Sequence, residues 1–374
     1  MIAVLFGTFN RTHAANTLLA DDMRRAGFEV RFCHEPLWEE TRDKGAAYFS
    51  ALGLLGLGLR WCRAMLRLVR RFPRVAKGAD VIVAGFNGQL DVLVARRLAG
   101  ARKVVFVPLV TITETLIEDR SRYRPGSLIG RLLHGIDRLS LRAADCVVID
   151  TQAHADYLVE RFDMPRERLA VHYLGAEALF APQEDRRERS LGGGLRVLAY
   201  GSFLPLHGFD VIAGAACLIG PKEGIVFEVI GSGPEVEAFR RSTTHLDHVH
   251  HRQWIPYERL PGEIDDADVV LGIFGTSRKA AMVIPNKVYQ AAQSRSAIVT
   301  RAGPAIEEVF AIDDAIVAIE PTPEALAGAL RDLAGSPERR AVLGRAAADA
   351  VAAVASPEAR AGRWRGIAGG GCFR

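Results

Sequence analysis

The sequence has few cysteines and no long apolar run, and both shortages exclude classes of protein. Its 374 residues include five cysteines, which are scattered and never spaced as CxxC. This pattern indicates neither a disulfide framework nor a zinc site. The longest apolar run, ALGLLGLGL (residues 51–59), falls far short of the ~20 residues that span a bilayer. MIAVLFG at the N-terminus has no basic leader. We therefore expect a cytoplasmic protein without a transmembrane helix.

The remaining composition indicates an ordered α/β protein of two halves. Hydrophobic residues make up 49% of the chain, and the net charge is only +4. Short apolar runs such as IAVLFG and VIVAGF in the first half, and LRVLAY and IVFEVI in the second, alternate with helix-length segments. This alternation predicts two doubly wound parallel sheets covered by helices on both faces. We expect no nucleic-acid partner, and the oligomeric state stays open.

A charged, glycine-rich segment separates the two halves. The segment APQEDRRERSLGGG (residues 181–194) has no apolar period, which is typical of an interdomain linker. The sequence thus predicts a first domain at residues 1–180 and a second at 195–353. Residues 354–374 are predicted to be a C-terminal helix and tail that could pack back on the first domain.

Three turn motifs in the second half are typical of a phosphate-binding site. They are YGSFLPLHG (residues 200–208), VIGSGP (229–234) and VIPNKVYQAAQSRSAIVT (283–300). The first two follow predicted strands, so Gly201, Gly231 and Gly233 lie at strand carboxyl ends, where open parallel sheets bind ligands. Glycine there lets a backbone approach a phosphate, and the next helix directs its free amides at the anion. The alternative is that these glycines only begin helices.

The third motif places a lysine in the first turn of a predicted helix. Pro285 and Asn286 form a typical helix start. Lys287 follows in the first turn, where a cation opposes the helix dipole, so a bound anion would explain it. The alternative is a solvated surface lysine.

The region from residue 60 to residue 77 contains seven basic residues and no acidic one. Arg60, Arg63, Arg67, Arg70 or Arg71, and Arg74 recur at helical spacing and predict one basic stripe on an amphipathic helix. Such a helix suits an anionic membrane surface or an acidic lipid. The alternative is a helix whose apolar face joins the core while its arginines are solvated.

The order of these motifs resembles the GT-B glycosyltransferases, glycosyltransferase family 4 in particular, over nearly the whole chain. The resemblance implies two Rossmann-like domains that face each other across a cleft. It also implies that the second domain binds a nucleotide-sugar and that the first contributes the acceptor site. Transfer would retain the configuration at the anomeric carbon, without a firm protein nucleophile, cofactor or metal.

The resemblance assigns the donor site to one set of positions. These are Gly7, Gly201, Ser202, Gly231, Gly233, Trp254, Ile255, Lys279, Ile284, Pro285, Asn286 and Gln290. Ser202 and His207 stand where the family usually has cations. Met282 and Gln290 stand where it has a pair of glutamates, and this departure resembles a subset with a PNK motif before the helix.

The implied catalytic residues are Glu114, His207 and Lys287, and the implied acceptor residues are Thr111, Thr113, Asp119 and Arg120. Asp150, Thr151 and His154 follow a predicted strand and either cap the next helix or join the site. The histidines at positions 245, 248, 250 and 251 lack an accompanying Cys or Glu pattern, so we predict no metal site there.

We therefore expect a retaining glycosyltransferase that moves a sugar from a nucleoside-diphosphate sugar to a lipid-linked or cell-envelope glycan. It would act in the cytoplasm or at the inner face of the cell membrane. Two alternatives stay open: a nucleotide-sugar binding protein without activity, and a GT-B nucleotide-sugar epimerase.

Overall fold

The computed structural model describes residues 1–11, 13–38, 51–182 and 194–372. The chain divides into two compact units. Unit 1 comprises Met1–Ile117, Ser121–Leu174 and Pro357–Arg374, and unit 2 comprises Glu118–Arg120 and Gly175–Ser356. Most of the predicted linker at 181–194 lies outside the described residues, so the domain limits expected from the sequence stay a prediction.

Unit 1 contains a six-stranded parallel sheet in the order β2-β1-β3-β4-β5-β6. Its strands are β1 (Ile2–Gly7), β2 (Glu29–His34), β3 (Val81–Ala84), β4 (Lys103–Phe106), β5 (Cys146–Ile149) and β6 (Leu169–Val171). The helices between them are α1 (Ala14–Arg25), α2 (Ala51–Val75), α3 (Gln89–Ala99), α4 (Leu128–Ala143) and α5 (Gln152–Phe162), with a π-helical turn at Glu114–Asp119. Right-handed crossovers place α1 on one face of the sheet and α2 to α5 on the other.

Unit 2 contains a second six-stranded parallel sheet, in the order β12-β11-β10-β7-β8-β9. Its strands are β7 (Leu195–Gly201), β8 (Ile225–Gly231), β9 (Val249–Arg252), β10 (Val269–Leu271), β11 (Ala297–Arg301) and β12 (Val317–Ile319). Its helices are α6 (Phe209–Leu218), α7 (Val236–Thr243), α8 (Leu260–Asp266), α9 (Arg278–Met282), α10 (Asn286–Gln293), α11 (Pro304–Glu307), α12 (Pro323–Ala334) and α13 (Pro337–Ala355). This strand order is that of the dinucleotide-binding Rossmann fold.

Burial explains why the central strands are almost continuously apolar. In unit 1, Ala3 pairs with Val30 on one side and with Val81 on the other, and β3 and β5 are buried along their whole length. Strands covered by helices on both faces have no solvent side on which to place polar residues. The predicted α/β class with two doubly wound sheets is confirmed.

The last α-helix, α14 (Pro357–Gly366), belongs to unit 1. Arg360 on α14 donates hydrogen bonds to both carboxylate oxygens of Asp22 on α1, and Trp364 is buried. Cys146 and Cys372 form a disulfide in the same unit. The cysteine pattern indicated no disulfide framework and thus missed this pair, because a separation of 226 residues hides their proximity in the fold.

None of the helices in the described part of the chain combines the length and the apolar content that crossing a bilayer requires. The longest helix, α2, has 25 residues. Its buried side chains include Met65, Leu68 and Phe72, which join unit 1 as a core-facing stripe.

Candidate active site

The strand order of unit 2 reverses between β7 and β10, and parallel sheets bind ligands outside the strand ends at such a point. The loop after β7 contains a short helical turn at Pro205–His207. Backbone amides of the loop after β10 donate to this turn, from Phe274 to the His207 carbonyl (3.0 Å) and from Gly275 to the Leu206 carbonyl (3.1 Å). The two loops therefore form one rigid rim.

Lys287 lies at this rim, in the first turn of α10. The helix begins at Asn286, as the sequence predicts, with Pro285 at the N-cap position. The side chain of Lys287 is buried, and its Nζ donates a hydrogen bond to the Tyr200 carbonyl oxygen at 2.5 Å. A Cβ on Gly201 would lie 3.2 Å from this Nζ. Glycine at position 201 thus keeps the space beside the ammonium group open.

His207 lies on the other side of Gly201. A Cβ on Gly201 would be 3.0 Å from its Cε1 atom. The backbone amide of Leu204 donates to His207 Nδ1 (3.3 Å), so the proton of the neutral ring is on Nε2. Burial, followed by the positive charges of Lys287 and Lys279, lowers the pKa of His207 to about 2. The imidazole is therefore a neutral hydrogen-bond donor.

Lys287 is buried without a neutralising carboxylate. Burial lowers the pKa of its ammonium group to about 7, and no acidic side chain in the described ranges forms an ion pair with it. A buried cation without a counterion is costly, and a nearby anion would relieve that cost. This part of unit 2 can therefore bind an anionic group such as a diphosphate.

Gly231 and Gly233 bring the loop after β8 against the loop after β7. Gly231 pairs with Gly201 across the two strands, and a Cβ at position 231 would lie 1.9 Å from the Gly201 carbonyl oxygen. A Cβ at position 233 would lie 1.7 Å from the Ser202 carbonyl oxygen. Both glycines are thus required for packing between the loops, whether or not they contact a ligand.

Gln290 is the centre of a chain of hydrogen bonds. The Tyr200 hydroxyl donates to Gln290 Oε1 (2.8 Å), and Gln290 Nε2 donates to the Tyr257 hydroxyl (3.0 Å). The Tyr257 hydroxyl in turn donates to Glu177 Oε1 (2.9 Å). The amide of Gln290 is therefore held by two tyrosines. Met282, at the position of the other expected glutamate, is buried.

The remaining predicted donor residues of unit 2 differ in exposure. Trp254, after β9, is 76% exposed, and Ile255 beside it is partly buried. Lys279 is buried in α9, and Ile284 is buried completely, so only the backbone of Ile284 can contact a ligand. Ser202 is on the loop after β7, beside the rim.

In unit 1 the strand order reverses between β1 and β3, and the side chain of Asp91 occupies the space beside the end of β1. Asp91 accepts hydrogen bonds from the Thr8 amide (2.6 Å), the Thr8 hydroxyl and Trp61 Nε1 (2.8 Å). A Cβ on Gly7 would lie 2.4 Å from Asp91 Oδ2. Burial raises the pKa of Asp91, against these hydrogen bonds. The turn at Gly7 thus already holds a carboxyl group where a donor phosphate was expected.

Glu114 is completely buried in unit 1 and contacts His154. Its Oε2 accepts from the Thr111 amide (3.0 Å) and lies 2.9 Å from His154 Nε2. The other ring nitrogen of His154 lies 2.8 Å from Asp150 Oδ1. Burial alone would lower the pKa of His154, but the two carboxylates raise it to about 10. The histidine is therefore a buried cation between two anions, which favours a positioning role for Glu114.

The threonines predicted for the acceptor site face the interior. Thr113 donates through its amide and hydroxyl to Asp137 (both 2.7 Å), and Thr111 contacts Glu114. Burial raises the pKa of Asp137 to about 6, against these hydrogen bonds. Thr151 accepts from the His154 amide and caps α5, which agrees with the capping alternative.

Asp119 and Arg120 belong to unit 2 by their contacts. Asp119 is buried and accepts a hydrogen bond from the Ser277 hydroxyl (2.9 Å), while Arg120 is exposed. Sequence reasoning did not identify Asp91, Asp137, Tyr200 or Tyr257 as site residues. Each forms a hydrogen bond with a residue far away in the chain, so its polar or aromatic character was the only signal in the sequence.

No group of three histidine, cysteine or acidic side chains in the described ranges could hold a metal ion. His248 Nε2 lies 3.0 Å from the Ala216 carbonyl oxygen and His251 Nε2 lies 2.9 Å from that of Gly231. These two histidines of the predicted cluster therefore have backbone partners.

Two family models match consecutive parts of the chain. A glycosyl transferase 4-like domain matches residues 13–175, and a glycosyl transferase-like family matches residues 216–366. No curated protein matches the chain in sequence.

Solved structures of glycosyltransferases share the fold over nearly the whole chain. Sucrose-phosphate synthase from Thermosynechococcus elongatus has a TM-score of 0.74 at 15% identity, covering 98% of both chains. HepE from Anabaena in complex with UDP has a TM-score of 0.71 at 14% identity, covering 98% of this chain and 99% of its own. HepE in complex with UDP-glucose has a TM-score of 0.68 with the same identity and coverage. Together with the two family models, these likenesses show that the chain belongs to the glycosyltransferases of the GT-B fold.

Proposed function

We propose that this protein transfers a sugar from a nucleoside-diphosphate sugar to a lipid-linked or cell-envelope glycan, with retention of configuration. The observation that carries the proposal is the buried, uncompensated Lys287 beside His207 at the rim of unit 2. HepE has been solved with UDP and with UDP-glucose, which makes uridine donors the first to test. We assign the chain to a family 4-like hexosyltransferase, in a subset with the PNK motif.

The chemical step breaks the bond between the anomeric carbon and the diphosphate oxygen, and forms a bond from that carbon to the oxygen of an acceptor hydroxyl, whose proton passes to the departing diphosphate. Negative charge grows on the departing diphosphate as the first bond breaks. Lys287, Lys279, the Nε2–H of His207 and the first amides of α10 would stabilise this charge, and preorganised donors of this kind are effective where water is excluded. Metal is not required for this role.

The other predicted residues complete the proposal. Trp254, Ile255, Gln290 and the backbone at Ile284 would contact the nucleoside or the sugar, and Gly201, Ser202, Gly231 and Gly233 would shape the loops around it. For the acceptor side we propose Asp119 and Arg120, while Thr111 and Thr113, which face the interior, would hold Glu114 and Asp137 in place. We propose that Glu114 supports these residues through His154.

We further propose that the protein acts at the inner face of the cell membrane. The basic segment at residues 60–77, which comprises α2 from residue 60 onward and the two residues after it, would contact an anionic membrane surface. Contact there would bring the enzyme to a lipid-linked acceptor.

The test is release of UDP from UDP-glucose, measured with and without a panel of lipid-linked acceptors. Replacing Lys287 by alanine should lower kcat/KM by about 100-fold or more, the usual effect of losing one charge-stabilising donor. Lys222→Ala is the matched control, since Lys222 is exposed in the same unit. Full turnover by the Lys287→Ala variant would refute the diphosphate assignment.

A nucleotide-sugar binding protein without activity is the second candidate, because Met282 cannot replace a carboxylate. Calorimetry that shows donor binding, together with no transfer to any acceptor, would favour it. An epimerase would change the sugar of the donor without an acceptor, which chromatography of the donor pool detects.

A further inference from the structure

Two helices of unit 1 carry exposed apolar side chains along one side. These residues have exposed fractions between 38% and 84%, and apart from one adjacent pair they lie three, four or seven residues apart, which is one face of a helix. On α2 they are Leu55, Leu59, Leu66 and Val69, and on α4 they are Leu128, Ile129, Leu132 and Leu139. Large apolar side chains that follow a helical period on the solvent side typically mark an interaction surface.

The two stripes lie on the same side of unit 1. Helices α2, α3 and α4 all cover one face of the sheet, and α3 contacts both α2 and α4. In its first turn α3 adds the exposed Leu90. The three helices therefore present one surface, which we call the α2–α4 surface.

Some arginines of α2 form ion pairs within unit 1, and others are left exposed. Arg67 (2.8 Å) and Arg71 both pair with Glu35. Arg63, Arg70 and Arg74 are exposed, and none of them forms an ion pair with an acidic side chain in the described chain. These three arginines leave a positive charge beside the apolar stripe.

Helix α4 has the same character. Arg131 and Arg142 are exposed on it. Its single acidic residue, Asp137, is buried and accepts hydrogen bonds from Ile112 and Thr113. The exposed sides of α2 and α4 therefore carry positive charge and apolar groups but no carboxylate.

Helix α2 is also anchored on its inner side. Trp61 donates to Asp91, which in turn accepts from Thr8 after β1. Since the buried side chains and Glu35 already hold α2 against unit 1, its exposed leucines are not needed for that packing. They are available for a partner.

We propose that the α2–α4 surface docks on an anionic lipid bilayer, with its arginines at the phosphate headgroups and its leucines among the acyl chains. This inference rests on the proposed function, to which it adds α4 as a second contact. A bilayer fits because phosphates can meet arginines at any position along both helices, while long side chains reach the apolar layer. The partner of the α2–α4 surface is thus a lipid bilayer, which its arginines contact at the charged headgroups and its leucines contact in the apolar layer.

Cys62 provides a direct probe of this docking. It is exposed and free, and it follows Leu59 in the stripe of α2. An environment-sensitive fluorophore on Cys62, in a Cys217→Ser chain, should shift to the blue with phosphatidylglycerol vesicles and not with phosphatidylcholine vesicles. The matched control carries the fluorophore on Cys217, exposed in unit 2, in a Cys62→Ser chain. No shift at Cys62, or an equal shift at Cys217, would overturn the proposal.

Vesicle flotation of the unlabelled chain tests the contribution of α4. Leu132→Glu combined with Leu139→Glu should weaken binding to phosphatidylglycerol vesicles at least tenfold, with an unchanged melting temperature. Val342→Glu, at an exposed position on α13, should change binding less than twofold. Unchanged flotation of the α4 variant would refute its role. If the fluorescence of the label on Cys62 shifts with protein concentration in the absence of vesicles, the partner of this surface is a second copy of the chain instead of lipid.

UDP binding, measured by calorimetry without vesicles, separates this inference from the proposed function. Wild-type chain that binds UDP but does not float with anionic vesicles would overturn the docking surface, and with it the membrane contact of α2, while leaving the donor assignment intact. Chain that floats but does not bind UDP would overturn the donor assignment alone.

Discussion

The ammonium group of Lys287 donates a hydrogen bond to the Tyr200 carbonyl oxygen at 2.5 Å, in a buried position at the end of β7. This contact directs the cation toward the turn at Gly201, where a substituent on the glycine would meet it. This carbonyl dipole and the rings of Tyr200 (5.4 Å) and Phe209 (6.0 Å) offset only part of the cost of burying a charge. The position is therefore prepared for an anionic ligand.

UDP binding should take up a proton at alkaline pH. Burial lowers the pKa of Lys287 to about 7, so at pH 8 the free protein has mostly the neutral amine, and a bound diphosphate raises that pKa again. We expect affinity to fall as pH rises above 7. Calorimetry at pH 8 in two buffers of different ionisation enthalpy measures the uptake. At pH 6 the proton uptake should vanish, because Lys287 is already charged. A Lys287→Met variant that still takes up a proton at pH 8 would contradict the assignment of this uptake to Lys287.

The stability of unit 1 should fall between pH 6.5 and about 10 because of His154. Burial disfavours its charged form, but Glu114 and Asp150 raise its folded pKa to about 10 from an ordinary 6.5. A raised folded pKa stabilises fully below the unfolded pKa, and this contribution is lost as pH rises through the folded value. His154→Gln should cost about 3 kcal/mol at pH 6 and progressively less toward pH 10.

The measurement for His154 is urea unfolding as a function of pH. His245→Gln, at an exposed position in unit 2, is the control and should leave the pH dependence unchanged. A constant difference in free energy of unfolding between wild type and His154→Gln from pH 6 to pH 10 would show that the imidazolium is not the stabilising form.

Gly231→Ala should separate the loops after β7 and β8. The new Cβ would lie 1.9 Å from the Gly201 carbonyl oxygen, and that atom belongs to a backbone that cannot rotate away. We expect a loss of about 3 kcal/mol of unfolding free energy and at least tenfold weaker UDP binding. Gly220→Ala is the control, since its Cβ would meet only the Glu223 carboxylate at 3.7 Å. Wild-type UDP affinity in the Gly231→Ala variant would rule out a contribution of this loop contact to the donor site.

Reduction of the Cys146–Cys372 disulfide should destabilise unit 1. Closing a long loop restricts the unfolded chain, and losing such a bond typically costs about 2–5 kcal/mol. A thiol reagent should label two cysteines of the native protein, Cys62 and Cys217, because Cys33 is buried and burial raises the pKa of its thiol to about 11. Urea unfolding with and without reductant checks the stability. In urea without reductant, five labelled thiols instead of three would show that Cys146 and Cys372 are not paired.

Much of the fold could be predicted because its signals are local. A buried strand between helices must be apolar, so the alternation in both halves predicted two parallel sheets. The turn at Gly201 and the start of α10 at Asn286 follow from glycine and proline, whose backbone preferences act within a few residues. The basic character of α2 was also visible in sequence.

The surroundings of the predicted site residues could not be predicted in the same way. Asp91 fills the turn at Gly7 from 83 residues away, and Gln290 is held by tyrosines at positions 200 and 257. A buried polar residue needs a hydrogen-bond partner, but the sequence does not indicate which residue that partner is. The distinction between exposed and buried leucines on α4 likewise depends on which helices pack beside it.

Sequence by itself thus determined the α/β class, the glycine turns at strand ends and the lysine at the start of α10, since all of these depend on short-range backbone and burial preferences. Only the tertiary structure decided that Lys287 is buried without a carboxylate partner among the described residues, that Glu114 binds His154, that Cys146 pairs with Cys372, and that α2 and α4 expose one apolar and basic surface. The physical reason is that charge balance, pairing and exposure are properties of neighbours in space, and those neighbours are assembled only when the two sheets form.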